Sequence, residues 1–295
     1  MKDSKKLLQE VLAGIQLGES AEEIKSMAFI LLESMFGLSK TEIMSGKVIP
    51  FSGESARALQ KALARINNAE PVQYVIGEEY FFSRKFRVNP SVLIPRPETE
   101  ALIRIVSAYA RARSATKSFP ALKILDIGTG SGCIPVTLFH EVGAAHIYAT
   151  DISPGALSVA TENASSLQAK ISFLKHDILK EDLPFSDLDV IVSNPPYVME
   201  KEKDAMNANV LGFEPHLALF VPDDDPLLFY KEIVRKGAKA LKAGGLLAVE
   251  INEKFGGAVS DLFQDAGFTK VEIVKDLAGK QRIVKGYNRP AGANS

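Results

Sequence analysis

Along the first 68 residues, apolar positions recur at intervals of three and four: Leu7, Leu8, Val11, Leu12 and Ile15, then Ile24, Met27, Ala28, Leu31, Leu32 and Met35. That spacing predicts amphipathic helices packed as a small bundle. Gly18 and the stretch Gly37-Leu-Ser-Lys punctuate the pattern, and a further helix over 53–66 carries Leu59, Ala62, Leu63 and Ile66 on one face. Between 72 and 94 the periodicity changes. Tyr74, Val75 and Ile76 precede Gly77, Tyr80, Phe81 and Phe82 follow it, and Phe86-Arg87-Val88 leads into Asn89-Pro90. This reads as a β-hairpin.

Beyond it, short apolar runs alternate with amphipathic ones. Strands are expected at 122–127, 145–150, 171–175, 188–193, 245–251, 270–274 and 281–287, and helices at 97–112, 133–141, 154–167, 226–242 and 256–266. The alternation implies an α/β fold with a mainly parallel, seven-stranded, Rossmann-like sheet covered on both faces. The short connection between the last two strands implies an antiparallel edge. With 295 residues, the chain exceeds what one core usually holds. Three parts are expected: a helical bundle over 1–70 that recognises substrate, a hairpin linker over 71–95, and the α/β domain over 96–295. Ligands of such sheets bind at the carboxyl ends of the strands.

The chemistry concentrates at those ends. The apolar run 188–193 stops at Asn194-Pro195-Pro196-Tyr197. Two prolines fix φ and remove two N–H donors, and the residue before a proline is kept out of the helical region. The result is a stiff corner that offers two acceptors, the Asn194 side-chain oxygen and the Pro195 carbonyl, to one planar –NH₂ group. Tyr197 can press its ring on the plane of that group. A plain surface turn is the alternative, since Asn-Pro often starts one.

Upstream, a strand ending in Asp126 runs into Gly128-Thr129-Gly130-Ser131-Gly132, and a helix follows from Cys133. Glycines allow close backbone approach to a ligand, and a helix start favours a polar or anionic group. The spacing is not the G-x-G-x-x-G of a dinucleotide site, which argues against a nicotinamide dehydrogenase. Asp151 ends the next strand, about 20 positions on, where a ribose diol is gripped in doubly wound folds. Capping of the helix near Ser153-Pro154 is its alternative role, and Ser153 serves that equally well. Asp177 ends the third strand, a position suited to an adenine, with Ile178 placed to pack on the ring. Solvation of the strand end is the plainer reading.

Together these residues resemble the S-adenosylmethionine-dependent methyltransferases that act on planar nitrogens. Further segments narrow the resemblance: Pro71-Val-Gln-Tyr-Val-Ile-Gly77, Leu93-Ile-Pro-Arg-Pro-Glu-Thr-Glu100, Phe213-Glu-Pro215, and Lys275-Asp276 with Arg282. All are similar to the release-factor glutamine (N5) methyltransferases of the HemK type, from about Pro71 to Tyr287. The resemblance implies a class I methyltransferase domain, S-adenosylmethionine as cofactor and peptide chain release factors as protein substrates. It implies methylation of a glutamine side-chain amide that modulates translation termination. Asp126, the 128–132 loop, Asp151, Asp177, Ile178 and Asn194 would bind cofactor, Asn194 to Tyr197 would carry catalysis, and Glu214 would join that corner in binding substrate. Glu98 and Glu100 stand either near the substrate mouth or simply in the first turn of a helix started by Pro97. An amide nitrogen is a poor nucleophile. Two acceptors on its N–H bonds raise its electron density and aim it, so positioning does the work and no general base is strictly needed.

Composition sharpens the picture. A net charge of −1 speaks against a nucleic-acid groove. A DNA adenine amino-methyltransferase, which also uses Asn-Pro-Pro-Tyr, would want a basic target-recognition region. A glutamine methyltransferase of a ribosomal protein differs only through the family resemblance. A scaffold with a degenerate site would have lost the Asn-Pro-Pro-Tyr corner. One cysteine, Cys133, excludes an internal disulfide framework and suits a reducing, cytoplasmic setting. It is expected to be a packing residue. His140, His146, His176 and His216 are scattered, so no metal site is expected. No apolar run approaches the ~18 residues of a membrane span, and no signal peptide is expected.

Overall fold

The computed structural model describes residues 1–114, 121–276 and 278–289. The chain divides into two compact units, Met1–Glu78 with Met206–Phe213, and Glu79–Ala205 with Glu214–Ser295. The outermost part of the expected 96–295 domain, 290–295, lies outside the described residues.

The first unit is helical, with helices at Ser4–Gly14, Ala21–Phe36, Lys40–Ser45, Gly53–Asn67 and Val72–Ile76. The faces expected from spacing are those that pack: Leu7, Val11, Leu31, Leu32, Ile43 and Ile66 are fully buried in one cluster. The ends follow local chemistry. Ser20 and Glu23 form a reciprocal capping box at the start of the second helix, and Gly37 closes it in the left-handed region at φ 64°. One expectation changes here. Residues 72–76 are a helical turn rather than the first arm of a hairpin. A five-residue apolar run does not by itself choose between strand and helix. Val72, Val75 and Ile76 join the bundle core, and the Arg65 guanidinium donates to the carbonyls of Tyr74 and Val75, both at 3.1 Å. The hairpin is confined to Glu78–Phe81 and Arg84–Arg87.

The second unit is built on seven strands: β1 Leu122–Ile127, β2 Ala145–Asp151, β3 Ile171–Lys175, β4 Leu188–Ser193, β5 Leu241–Glu250, β6 Thr269–Lys275 and β7 Gln281–Tyr287. Their order across the sheet is β6-β7-β5-β4-β1-β2-β3. The five from β5 to β3 are parallel, and β7 runs antiparallel to both its neighbours. Period-2 alternation sends successive residues to opposite faces. Ile124, Val190, Val192, Leu246 and Ala248 pack with Leu102, Ile103, Val106 and Val136 on one face. Leu125, Ile191, Leu247 and Val249 pack with Tyr230, Ile233, Val259 and Phe263 on the other. β5 starts earlier than expected, at Leu241, because a register shift before Leu246 and Gly244 at φ 73° let the chain enter the sheet directly from the helix Leu228–Ala240. No described helix is long and apolar enough to cross a membrane.

Register decides what meets at the top of the sheet. Ile127 pairs with Thr150 and with Ser193, and Ser193 pairs with Val249. The residues that follow β1, β2, β4 and β5 therefore emerge side by side.

Phe263 is fully buried and packs 5.1 Å from Phe268, centroid to centroid. Phe263→Ala should destabilise the protein by about 3–5 kcal/mol, read as a lowered urea midpoint at an unchanged slope.

Candidate functional site

A cavity of about 340 Å³ opens at the carboxyl ends of the parallel strands, lined among others by Gly128, Thr129, Gly130, Ser131, Asp151, Asp177, Ile178, Asn194, Pro195 and Pro196. Most of the residues singled out in the sequence thus share one wall. Asp126, Gly132, Tyr197 and Glu214 stand back from it.

The Gly loop is fixed by the end of β2. The N–H groups of Gly128 and Thr129 donate to the Thr150 carbonyl at 2.9 and 3.0 Å, and that of Gly130 donates to Asp151 Oδ2 at 2.9 Å. These loop donors are therefore engaged within the protein, while the helix that follows, Cys133–Val142, has no side-chain cap at its start. Gly132 has a separate reason to be glycine. Its φ is +77°, and a Cβ there would lie 3.0 Å from the Ala160 Cβ of the helix Pro154–Ser166, so the loop packs against that helix at backbone distance.

Asp151 accepts from Gly130 and, through Oδ1, from the Ser153 N–H at 2.9 Å. Capping falls to Ser153, whose Oγ accepts from Ala156 N–H. A carboxylate has about four acceptor sites, so these backbone donors do not exhaust Asp151. Burial raises its pKa, and the backbone donors from Ser153 and Gly130 oppose that. Asp177 turns its Oδ1 to the Leu179 N–H, 3.0 Å. The Ile178 carbonyl accepts from Lys236 Nζ, a buried lysine that also pairs with Glu232 at 3.0 Å.

Asp126 is fully buried, and the Thr129 hydroxyl is the polar side chain set to bond its carboxyl. Burial pushes its pKa up to about 7. The Thr129 hydroxyl lowers it, and the Asp151 charge adds to the rise. The Cys133 thiol is pushed up to about 12, chiefly by burial, and stays protonated. Among the described residues no cluster of three or more His, Cys, Asp or Glu could hold a metal ion.

The corner after β4 is the terminus of a buried polar chain. Asn194 Nδ2 donates to Thr99 Oγ1 at 3.2 Å, and Thr99 Oγ1 donates to Glu250 Oε2 at 2.7 Å. The Tyr197 hydroxyl donates to Glu250 Oε1 at 3.2 Å, and the Tyr230 hydroxyl to the Glu250 backbone carbonyl at 3.2 Å. Asn194 Oδ1 has no partner among the described residues. Tyr197 packs its ring into the apolar cluster beneath the sheet, a different place from the open face expected for it. Burial raises its hydroxyl pKa, and the Glu250 charge raises it further. Glu250 itself is pushed up to about 7, with burial first, Thr99 and Tyr197 lowering it, Glu98 raising it and Arg282 lowering it.

Glu214 is buried, with Oε1 paired to Arg96 and Oε2 accepting from the Ile94 N–H at 3.3 Å. It ties the two motif segments together, while its neighbours Pro215 and Leu217 reach the cavity. Glu98 is exposed. Glu100 accepts from Phe82 N–H at 3.0 Å and from Arg104 at 2.8 Å, a structural position. Sequence reasoning missed Thr99 and Glu250. Thr99 sits between the two acids that drew attention. Glu250 is legible in hindsight as a carboxylate closing an otherwise apolar strand.

Residues 113–212 match the methyltransferase small domain family and residues 10–77 match the PrmC N-terminal domain family. The release factor glutamine methyltransferase of Bacteroides thetaiotaomicron is 41% identical over 265 residues, covering 89% of this chain and 92% of that protein. That of Bacillus subtilis is 35% identical over 278 residues, covering 92% and 94%. Among solved structures, the hMettl16 catalytic domain in complex with the MAT2A 3′UTR hairpin 6 shares the fold at TM-score 0.55 and 16% identity, over 85% of this chain and 87% of that one.

The raised pKa of Asp126 has a stability consequence. A carboxyl whose folded pKa lies above its unfolded value stabilises fully below the unfolded pKa and loses that contribution as pH rises to about 7. Asp126→Asn should therefore gain stability relative to wild type between pH 5 and pH 8, by ~2–3 kcal/mol at about 1.4 kcal/mol per pKa unit. Urea unfolding of both proteins without ligand measures it. An identical difference at both pH values would show that Asp126 titrates as an ordinary carboxylate.

Proposed function

This chain belongs to the release factor glutamine methyltransferases, and from that membership we infer how its cavity serves the transfer of a methyl group from S-adenosylmethionine to a glutamine side-chain amide of a release factor. The observation that carries the assignment of roles is the convergence of the Gly loop, Asp151, Asp177, Ile178 and the Asn194-Pro195-Pro196 corner on one cavity. The residues present fit the cofactor. The cavity wall combines an acid at the end of β2, an apolar side chain beside a strand-end acid, and a buried Asn194 oxygen without a partner among the described residues. When bound, S-adenosylmethionine supplies a methyl group on a positively charged sulfur, so the leaving group is already activated.

Asp151 would hold the ribose diol, Asp177 and Ile178 the adenine, and the loop 128–132 with Asp126 behind it the remaining polar part. The protein's task is then to aim a weak nucleophile. Asn194 Oδ1 and the Pro195 carbonyl accept from the two N–H bonds of the substrate amide, raise electron density on its nitrogen and favour the positive charge that grows there. Glu214 supports the mouth by anchoring Ile94 and Arg96. The helical unit with its own core grips the body of the release factor, so that binding energy far from the glutamine orients it. The near-neutral net charge favours a protein partner over nucleic acid.

Incubation with labelled S-adenosylmethionine, purified release factors and duplex DNA, followed by peptide mapping, tests the assignment. Label is expected on one glutamine side chain of the release factor and not on DNA. Intact factor should be methylated with far higher kcat/KM than a short glutamine peptide. Equal values would remove the helical unit from recognition.

Two variants separate binding from turnover. Asn194→Ala should lower single-turnover rates by at least ~100-fold at saturating cofactor. Asp151→Ala should weaken cofactor binding in calorimetric titration, since charge-assisted hydrogen bonds worth ~1.5–3 kcal/mol each are lost. Near-normal turnover in the first, or an unchanged Kd in the second, would remove that residue from its role.

A further inference from the structure

We propose that Thr99 and Glu250 are positioning residues that dictate which end of the Asn194 amide meets the substrate. The proposal rests on the reading of Asn194 as an acceptor for the substrate amide and explains how that acceptor is kept in place. The terminal torsion of an asparagine is broad and nearly two-fold. An unrestrained Asn194 could therefore present either its oxygen or its –NH₂. Only the oxygen is useful against a substrate –NH₂, because the flipped amide sets donor against donor.

The buried chain removes that freedom. Thr99 and Glu250 are each 2% exposed, so water does not complete their bonding. A hydroxyl has one proton to give, and Thr99 gives it to Glu250 Oε2 at 2.7 Å. Above about pH 7 the Glu250 carboxyl is ionised and offers only acceptors, so this bond then runs in one direction. Thr99 then has only lone pairs left for Asn194, 3.2 Å away. The group that faces it must be the –NH₂, and Oδ1 is left as the unpartnered atom. A flip would bring two oxygens together with no proton between them. Glu250 is itself held by the Tyr197 hydroxyl on its other oxygen, 3.2 Å, and by β5, whose register beside β4 pairs Val249 with Ser193. Direction thus passes from the carboxylate, through one hydroxyl, to the reacting corner.

Three variants test this on the full-length enzyme, with Asn194→Ala as reference. Each is measured for kcat and KM with intact release factor at saturating S-adenosylmethionine, for S-adenosylhomocysteine affinity by calorimetry, and for melting temperature. Thr99→Val keeps the shape and removes both donor and acceptor. It should lower kcat roughly tenfold or more while KM and the cofactor product's Kd stay near wild type, the pattern of an interaction made in the transition state. Thr99→Ser restores the hydroxyl and should recover kcat to within roughly threefold. Glu250→Gln presents either an N–H or an oxygen to Thr99, so direction is no longer enforced, and kcat should fall with KM little changed.

Wild-type kcat in Thr99→Val or in Glu250→Gln overturns the proposal. So does Thr99→Ser as impaired as Thr99→Val, which would make the effect one of packing. If Thr99→Val fails to fold, the Thr99→Ser and Glu250→Gln pair decides by the same criteria. With Asn194→Ala inactive, such failures leave the acceptor reading of Asn194 standing. An active Asn194→Ala overturns that reading and the positioning proposal together.

Discussion

Parallel register is the constraint on which the site depends. Four neighbouring strands, β2, β1, β4 and β5, finish at the same level, with Thr150, Ile127, Ser193 and Val249 paired across the sheet. Whatever follows each strand is thereby delivered to one edge: the Gly loop after β1, Asp151 at the end of β2, Asn194 after β4 and Glu250 after Val249. The side-chain period in a strand is two, so a one-residue slip would turn each of these groups to the opposite face. Slippage is resisted by the cores. Ile124, Leu125, Val190, Ile191, Val192, Leu246 and Leu247 are all fully buried, alternating between two layers of helices, and a slip would exchange both sets at once.

Such a frame can hold polar groups that a weaker one would not. Buried polar atoms are nearly always hydrogen-bonded, yet the Asn194 side-chain oxygen has no partner among the described residues, and the Asp126 carboxyl is met by no side-chain donor but the Thr129 hydroxyl. All three flank the β1 and β4 ends. Leaving such an atom unpaired costs of order 1–3 kcal/mol, and burial moves the Asp126 and Glu250 carboxyls up to about 7. The surrounding apolar packing sustains that cost. The same unpaired oxygen is what a ligand with a complementary donor can satisfy.

The excursion between β4 and the helix Leu228–Ala240 shows how distant motifs become one feature. Val198–Met199 pairs in parallel with Phe220–Val221, which brings the ends of the excursion together. Glu214 then reaches Ile94 and Arg96, about 120 positions earlier. Its carboxylate is buried but paired and doubly hydrogen-bonded, the condition under which a buried charge is tolerated. Pro95 and Arg96 on one segment and Pro215 and Leu217 on the other consequently share the cavity wall.

Local rules made much of this legible in the sequence. Helical spacing gave the buried face of Leu7, Val11, Leu31 and Leu32, and the alternation of strand and helix gave the doubly covered sheet with its antiparallel edge. The chemistry of Asn194-Pro195-Pro196-Tyr197 and of the Gly loop pointed to the cavity that both line. These features depend on neighbours in the chain, on periodicity and on fixed proline and glycine dihedrals, all of which a sequence carries. Where the information was non-local it could not be read. The apolar run 72–76 became a helical turn because Arg65 and the bundle core received it. Tyr197 turned inward because a carboxylate 53 residues later accepts its hydroxyl. Thr99 and Glu250, 151 positions apart, are unremarkable singly. Hydrogen-bond direction and burial exist only once strands, loops and helix ends are brought within hydrogen-bond distance of one another, and that was decided by the tertiary structure alone.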